Sequence, residues 1–413
     1  MRRILLCCAA VLVCMATAGC WNRTELDELG ITVANGFDRS GDEWEMTYQV
    51  IVPSASGASQ GGGSAGGGSQ PSVYVFTTKG NTIREAADRG YTENPRRLYF
   101  GHTDIIVIGR EVAETGIEQI LDLYFRNIDA RETVLVAVTD GKAREILRKM
   151  VPPEKIPGTA LAEILRKQNS SSSYFPVVNV FQMAQKLVSD AQTVGVPEII
   201  VTKGNAKALE SLDVNKTTSP PVKMKVERLG VLHQNRLVGY LSRNESYGIS
   251  WLTNQVKGST LSFSCSGAQT KKKDGTVRIT SAKTKVTPIR SGEQHYNMQV
   301  DTEASGDLLM EFMCAEDLSK PQSIKVIEKA VAEEIRSKIE LGWEASRKLR
   351  VDLPGFADKI HRKDPKTWKK LQNDWSEELT RIELDIRVKV KLQRPGLTKK
   401  SFDTLLNQDS EQK

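Results

Sequence analysis

The sequence predicts an α+β protein of more than one domain, built from mixed and antiparallel sheets flanked by helices. Three observations lead there. Residues 382–392 alternate apolar and charged side chains without a break, the mark of a strand with one wet face. Residues 322–348 place Ile324, Ile327, Val331, Ile335 and Ile339 at three- and four-residue spacing, the stripe of a long amphipathic helix. The chain also has 413 residues, enough for several cores.

From the beginning, Met1, Arg2 and Arg3 supply a positive start, and residues 4–15 form an apolar run of signal-peptide length. That run is too short to span a bilayer. Ala16, Thr17, Ala18 and Gly19 then lead into Cys20. Small residues ahead of a cysteine resemble the box read by a lipoprotein signal peptidase, although Thr17 stands where leucine is usual. Residues 1–19 are therefore expected to be removed as a signal peptide, and Cys20 to carry a diacylglyceryl anchor. The competing reading is an ordinary secretory leader with an incidental cysteine.

Export makes nucleic acid an unsuitable partner, and the formal charge of +7 is too diffuse to name another. Three of the six cysteines, Cys7, Cys8 and Cys14, leave with the leader. Cys265 and Cys314 remain, either as a disulfide in an oxidising exterior or as two buried small side chains.

Residues 30–37 read as a strand and 38–42 as a turn. In the next strand Trp44, Met46, Tyr48 and Val50 alternate with Glu45, Thr47 and Gln49, which predicts burial of one face. Residues 54–72 are Gly/Ser-rich and can bury almost nothing, so they form a flexible loop inside a domain. Helix and strand then alternate: helices over 82–89, 112–125, 142–150, 159–167 and 180–189, strands over 97–108, 133–138 and 198–202, and a polar loop at 169–173. Residues 20–214 thus make an N-terminal α/β region with room for two subdomains, and the polar run 215–221 is the expected linker.

Residues 222–396 form the C-terminal α+β domain. Its strands fall at 223–232, 237–241, 259–265, 276–286 and 295–301, with a short helix near 247–253 and the long helix 322–348. Asp364 is the N-cap of another helix with Pro365 at its first position, and Trp368, Leu371 and Trp375 lie on one side. The alternating strand 382–392 is expected to join an antiparallel sheet. Residues 397–413 are a polar tail.

No catalytic or cofactor signature appears. The four histidines, His102, His233, His295 and His361, have no paired metal spacing. No GxSxG elbow, Walker loop or GxGxxG follows a strand, and the glycines of residues 61–68 lie in a Gly/Ser tract, where a chance match means nothing. Asp38, Asp352 and Asp358 read as turn residues, and His102 as a hydrogen-bonded histidine within an apolar strand. Trp368 and Trp375 read as core rather than as a sugar-stacking platform. Arg126 and Arg131 flank the turn 127–130 and either grip an anion or satisfy the turn's own carbonyls and carboxylates, the second being favoured.

One resemblance goes further. The run from Gly19 to Gly30 (GCWNRTELDELG), the segment 97–109 (RLYFGHTDIIVIG) and the arginine-flanked turn 125–131 (FRNIDAR) resemble the GerAC-like, or Ger(x)C, spore germination lipoproteins. So do Gly342-Trp343, residues 352–356 (DLPGF), Ile360-His361, residues 365–368, Trp375 and the alternating strand ending near Gly396. Departures are Asn22 where aspartate is frequent, Pro354 in the turn before Phe356, and the long Gly/Ser loop.

The resemblance implies a three-domain α+β fold without catalytic residues or cofactor. It implies the C subunit of a nutrient germinant receptor, lipid-anchored on the outer face of the spore inner membrane beside membrane-embedded A and B subunits. A small-molecule germinant is then expected to bind elsewhere in the complex. The alternatives are an extracytoplasmic lipoprotein that senses a small nutrient directly and a wall-modifying enzyme.

Overall fold

The computed structural model describes residues 2–4, 28–52, 71–268, 270, 272–293, 295–311, 318 and 320–394. Most of the leader, Cys20, residues 53–70 of the Gly/Ser loop, Cys314 and the polar tail lie outside the described residues.

Nine strands form a first sheet: β1 (Leu29–Ser40), β2 (Glu43–Ile51), β3 (Val73–Gly80), β4 (Arg97–Tyr99), β5 (Ile105–Ile108), β6 (Leu135–Val138), β7 (Thr193–Val201), β8 (Met224–His233) and β9 (Arg236–Leu241). Their order is β3-β2-β1-β5-β6-β7-β8-β9, with β4 also beside β1. The centre, β1-β5-β6-β7, is parallel, and antiparallel ribbons β2-β3 and β8-β9 flank it. Six helices accompany it: α1 (Ile83–Glu93), α2 (Arg110–Thr115), α3 (Glu118–Arg126), α4 (Ala143–Leu147), α5 (Pro157–Ser171) and α6 (Val180–Leu187).

Both faces of this sheet are covered. Phe37, Trp44, Met46, Tyr48, Ile106 and Ile108 pack under α1, α2, α3 and α6. Ala34, Ile105, Val107 and Ala137 pack under α4 and α5. The unbroken apolar run of β5 is what a strand with no wet face requires.

Several local expectations are corrected. The alternation in β2 does not mark a wet face: Glu45, Thr47 and Gln49 are as buried as their apolar neighbours, because α4 and α5 cover them. Each finds a partner instead. Gln49 donates to the Leu147 carbonyl (2.9 Å) and accepts from the Gly158 amide (2.7 Å), while Thr47 shares a hydrogen bond with Thr77 (2.8 Å). Residues 97–108 are two short strands around a turn, and the helix expected over 112–125 breaks at Gly116, whose φ of 142° favours glycine. Helix α5 runs through most of the polar stretch 169–173.

The segment 215–221 does not end the sheet, since β8 pairs with β7 directly after it. Leu229 and Val231 of β8 and Leu241 of β9 also belong to the core of the second half. That half contains α7 (Arg243–Leu252), the sheet β10 (Ser259–Phe263)-β11 (Gly275–Arg290)-β12 (Tyr296–Glu311)-β13 (Leu384–Arg394), α8 (Pro321–Lys348), α9 (Phe356–Lys363), α10 (Pro365–Leu371) and α11 (Trp375–Arg381). The stripe of α8 is buried as expected, and α7 crosses it at a glycine pair. A Cβ on Gly248 would lie 2.0 Å from the Lys338 carbonyl oxygen, and one on Gly342 would lie 2.7 Å from the Gly248 carbonyl carbon.

Strand β13 keeps its one wet face but is parallel to β12, not antiparallel. Side-chain alternation reports which face is buried and carries no information on strand direction. Helices α8 to α11 return the chain to the start of β12 before β13 begins, and this connection sets the direction.

Candidate functional site

At the carboxyl ends of the parallel strands, where open sheets of this kind commonly place functional groups, charged side chains converge. Asp38, at the end of β1, accepts from the Ala143 amide (2.7 Å) and the Arg144 amide (2.9 Å), so it anchors the start of α4. Burial pushes its carboxyl above the ordinary range, against those two amides and Lys142. Glu45 is 1% exposed and meets Lys79 (3.1 Å), Lys142 (3.1 Å) and Arg144 (3.4 Å). Burial works against its charge, but the hydrogen bonds from Lys142 and Lys79 outweigh it and hold the carboxyl low.

Next along the sheet, the fully buried Glu198 of β7 takes two bonds from Arg228, 2.6 and 2.7 Å long. Arg228 also reaches Asp140 (3.3 Å), and Asp140 takes a bond from Arg110 (2.7 Å). The bond to Glu198 holds the Arg228 guanidinium well above its usual range. Each carboxylate here has cationic or backbone donors, so the set works as a lattice tying β1, β2, α2, α4, β7 and β8 together.

The amino ends of the same strands differ. Tyr74 begins β3 opposite Val50, Tyr91 lies in the last turn of α1, Phe125 ends α3, and Ile128 tops the following turn at 98% exposure. Phe181 opens α6, its amide bonded to the Glu132 carbonyl. These five are exposed large apolar side chains. The residue expected to satisfy the turn 127–130 beside Arg126 was Arg131, yet Arg97 of β4 reaches Asp129 (3.3 Å), and Arg126 pairs back to Asp122 (3.1 Å).

The remaining expected site residues separate. His102 is exposed in a turn, edge-on to Tyr99, not held within a strand, because β4 ends before it. His233 shares a hydrogen bond with Thr193 (3.0 Å), and His295 with Glu378 (2.6 Å). His361 meets Asp190 (2.7 Å) and stacks on Trp368, whose indole also donates to Asp190 (3.2 Å). Trp368 and Trp375 are buried edge to face. Asp358 accepts from Ser189 and from the Asp190 amide, completing a clamp between the two halves.

Asp352 accepts from the Phe356 and Ala357 amides and anchors α9; burial pushes its carboxyl up to about 6. Cys265 is half-buried against the C-terminal core, and Cys314, the other cysteine considered for a disulfide, lies outside the described residues. Among the described residues no three His, Cys, Asp or Glu side chains gather as a metal site, and no helix is long and apolar enough to cross a membrane.

Comparison with known proteins decides the family. The spore germination protein N-terminal domain matches residues 22–201, and the spore germination B3/GerAC-like C-terminal domain matches residues 227–396. The chain belongs to the GerAC-like family. Spore germination protein KC of Bacillus subtilis is 28% identical over 404 residues, covering 96% of this chain and 97% of that protein. GerQC of Bacillus cereus is 22% identical, covering 92% and 96%. The crystal structure of the GerBC protein shares the fold, with a TM-score of 0.51 at 17% identity, covering 87% of this chain and 96% of that one. The matches take in the ordered set of segments from Asn22 to Gly396, and the fold has the mixed sheets flanked by helices that were expected.

Proposed function

We propose that this chain is the lipoprotein C subunit of a nutrient germinant receptor, carried on the membrane by a diacylglyceryl group on Cys20 after removal of residues 1–19. It acts by docking with the membrane-embedded A and B subunits, so that nutrient binding elsewhere is relayed or the complex is assembled. The observation that carries this is the pair of family matches, in order and covering residues 22–201 and 227–396, together with full-length relatives named as spore germination proteins. The side chains described above favour a docking role over chemistry. Buried carboxylates anchor helix starts or pair with cations, and the histidines are dispersed.

The test is isolation of the intact lipoprotein from spore membranes with identification of what accompanies it, in parallel with a Cys20→Ala variant. The wild-type chain should bring the A and B subunits with it. The Cys20→Ala chain should leave membranes that lack those subunits while keeping its fold, because two acyl chains at about 0.8 kcal/mol per buried CH₂ far exceed diffuse surface charge. Saturable binding of a germinant to the isolated chain would move sensing to this subunit.

A further inference from the structure

Five exposed apolar side chains, Tyr74, Tyr91, Phe125, Ile128 and Phe181, gather at the amino ends of the parallel strands. They come from β3, α1, α3, the turn after α3 and α6, five separate places in the sequence. The topology brings them together. Strand β1 starts at Leu29, paired with Arg97 of β4, and Arg97 holds Asp129 beside Ile128. Strand β2 runs back to the same end, where Val50 lies between Thr32 and Tyr74. Helix α1 descends antiparallel to β3 and so delivers Tyr91 there, and Phe181 stands at the level of Glu132 below β6.

This is also the end at which the chain arrives from Cys20. Seven residues, and so eight Cα–Cα steps, separate Cys20 from Glu28, whose carbonyl accepts from the Arg97 amide. Fully extended, that length spans about 28 Å. A lipid on Cys20 therefore holds the start of β1, at the Ile128 end, within about 28 Å of the bilayer, nearer on average than the opposite end beyond Ser40. Tyrosine and phenylalanine beside a nearly bare isoleucine suit the headgroup and upper acyl region, where an apolar body is buried and a hydroxyl stays wet. Surface charge near the turn is mixed, with Arg97 and Arg126 engaged by Asp129 and Asp122. Contact is then governed by apolar burial more than by anionic lipid.

We infer that this end of the sheet is a membrane-contacting face, with Ile128 and Phe125 seated in the interface of the bilayer that holds the Cys20 lipid. The inference rests on the proposed lipid anchor at Cys20, and its test separates the two. Ile128→Cys and, as reference, Asp42→Cys in the turn at the opposite end of β1 are each labelled with an environment-sensitive fluorophore. Both positions are exposed, so folding is retained. The lipidated full-length proteins are reconstituted in vesicles of phosphatidylcholine and phosphatidylglycerol in equal parts, and in phosphatidylcholine alone.

Mass measurement of the N-terminal peptide reports the lipid on Cys20 independently. With the lipid present, the probe at position 128 should shift to the blue and be quenched several-fold more by a bilayer nitroxide than the probe at 42, in both vesicle types. A lipidated protein whose two probes are equally wet overturns the membrane face and leaves the anchor standing. Absence of the lipid from Cys20 removes the anchor and this inference together. Drying of the 128 probe only when the A and B subunits are added assigns the face to protein contact and overturns lipid contact.

Discussion

The two ends of the first sheet are built on opposite principles. At the carboxyl ends, Asp38, Glu45, Asp140 and Glu198 are matched by amides, lysines and arginines, and the network ties strands to helices. At the amino ends, apolar side chains stand in solvent while the nearby charges pair locally. Buried ion pairs report interactions already made. Exposed apolar clusters report interactions still to be made. Where the described carboxylates are already partnered, the second kind of surface is the better guide to function.

That contrast can be broken most severely at Asp38. Asp38→Ala removes the acceptor of one buried and one part-buried amide at the start of α4, and about 3 kcal/mol of stability should go, read as a lowered urea midpoint. Glu198→Ala should cost about 2 kcal/mol, less than a fully buried pair, because Arg228 is 37% exposed and regains water. If either variant unfolds no sooner than wild type, the carboxyl-end network is not a lattice.

The acid limb sharpens the contrast further. The folded-state pKa of Glu45 is depressed below 4.5, so its contribution is complete above that value and is lost as pH falls through the depressed one. Asp38 has the opposite sign: its folded-state pKa is raised, so its protonation linkage lowers stability as pH rises above 3.8. Glu45→Gln should therefore flatten the loss of stability below about pH 4.5, measured by denaturant midpoints across pH. The variant Ile128→Ser at the other end should move the midpoint by less than about 0.5 kcal/mol. Deletion of most of residues 54–70 is likewise a small change, roughly 0.6 kcal/mol per halving of the loop. Its ends are already joined through the Val52 amide and the Ser72 carbonyl, 2.9 Å apart.

Where periodicity and packing agree, the sequence is readable. The stripe of α8, the cap at Asp364 and the wet face of β13 appear as their spacing predicts, and Asp364 receives the Thr367 amide at 3.0 Å. Strand β2 shows why the rest is not. Its Glu45, Thr47 and Gln49 have the spacing of a solvent face, yet helices from a hundred residues later cover them, and one sequence does not say which helix lands on which face. The carboxyl-end network was hidden for the same reason. Asp38 and Ala143, or Glu198 and Arg228, are neighbours only once the sheet is assembled. The amino-end cluster left one readable trace, an isoleucine in the polar turn 127–131.

Strand β8 has a consequence for how motion passes through the molecule. It is hydrogen-bonded into the first sheet, while Leu229 and Val231 are packed in the core of the second half. The clamp of Asp190 with His361 and Trp368 ties the same two halves together. These contacts fasten the C-terminal half to the first sheet. If the Ile128 end is the membrane face proposed above, a push on the outer strand β13 would reach the bilayer as a tilt of the whole chain.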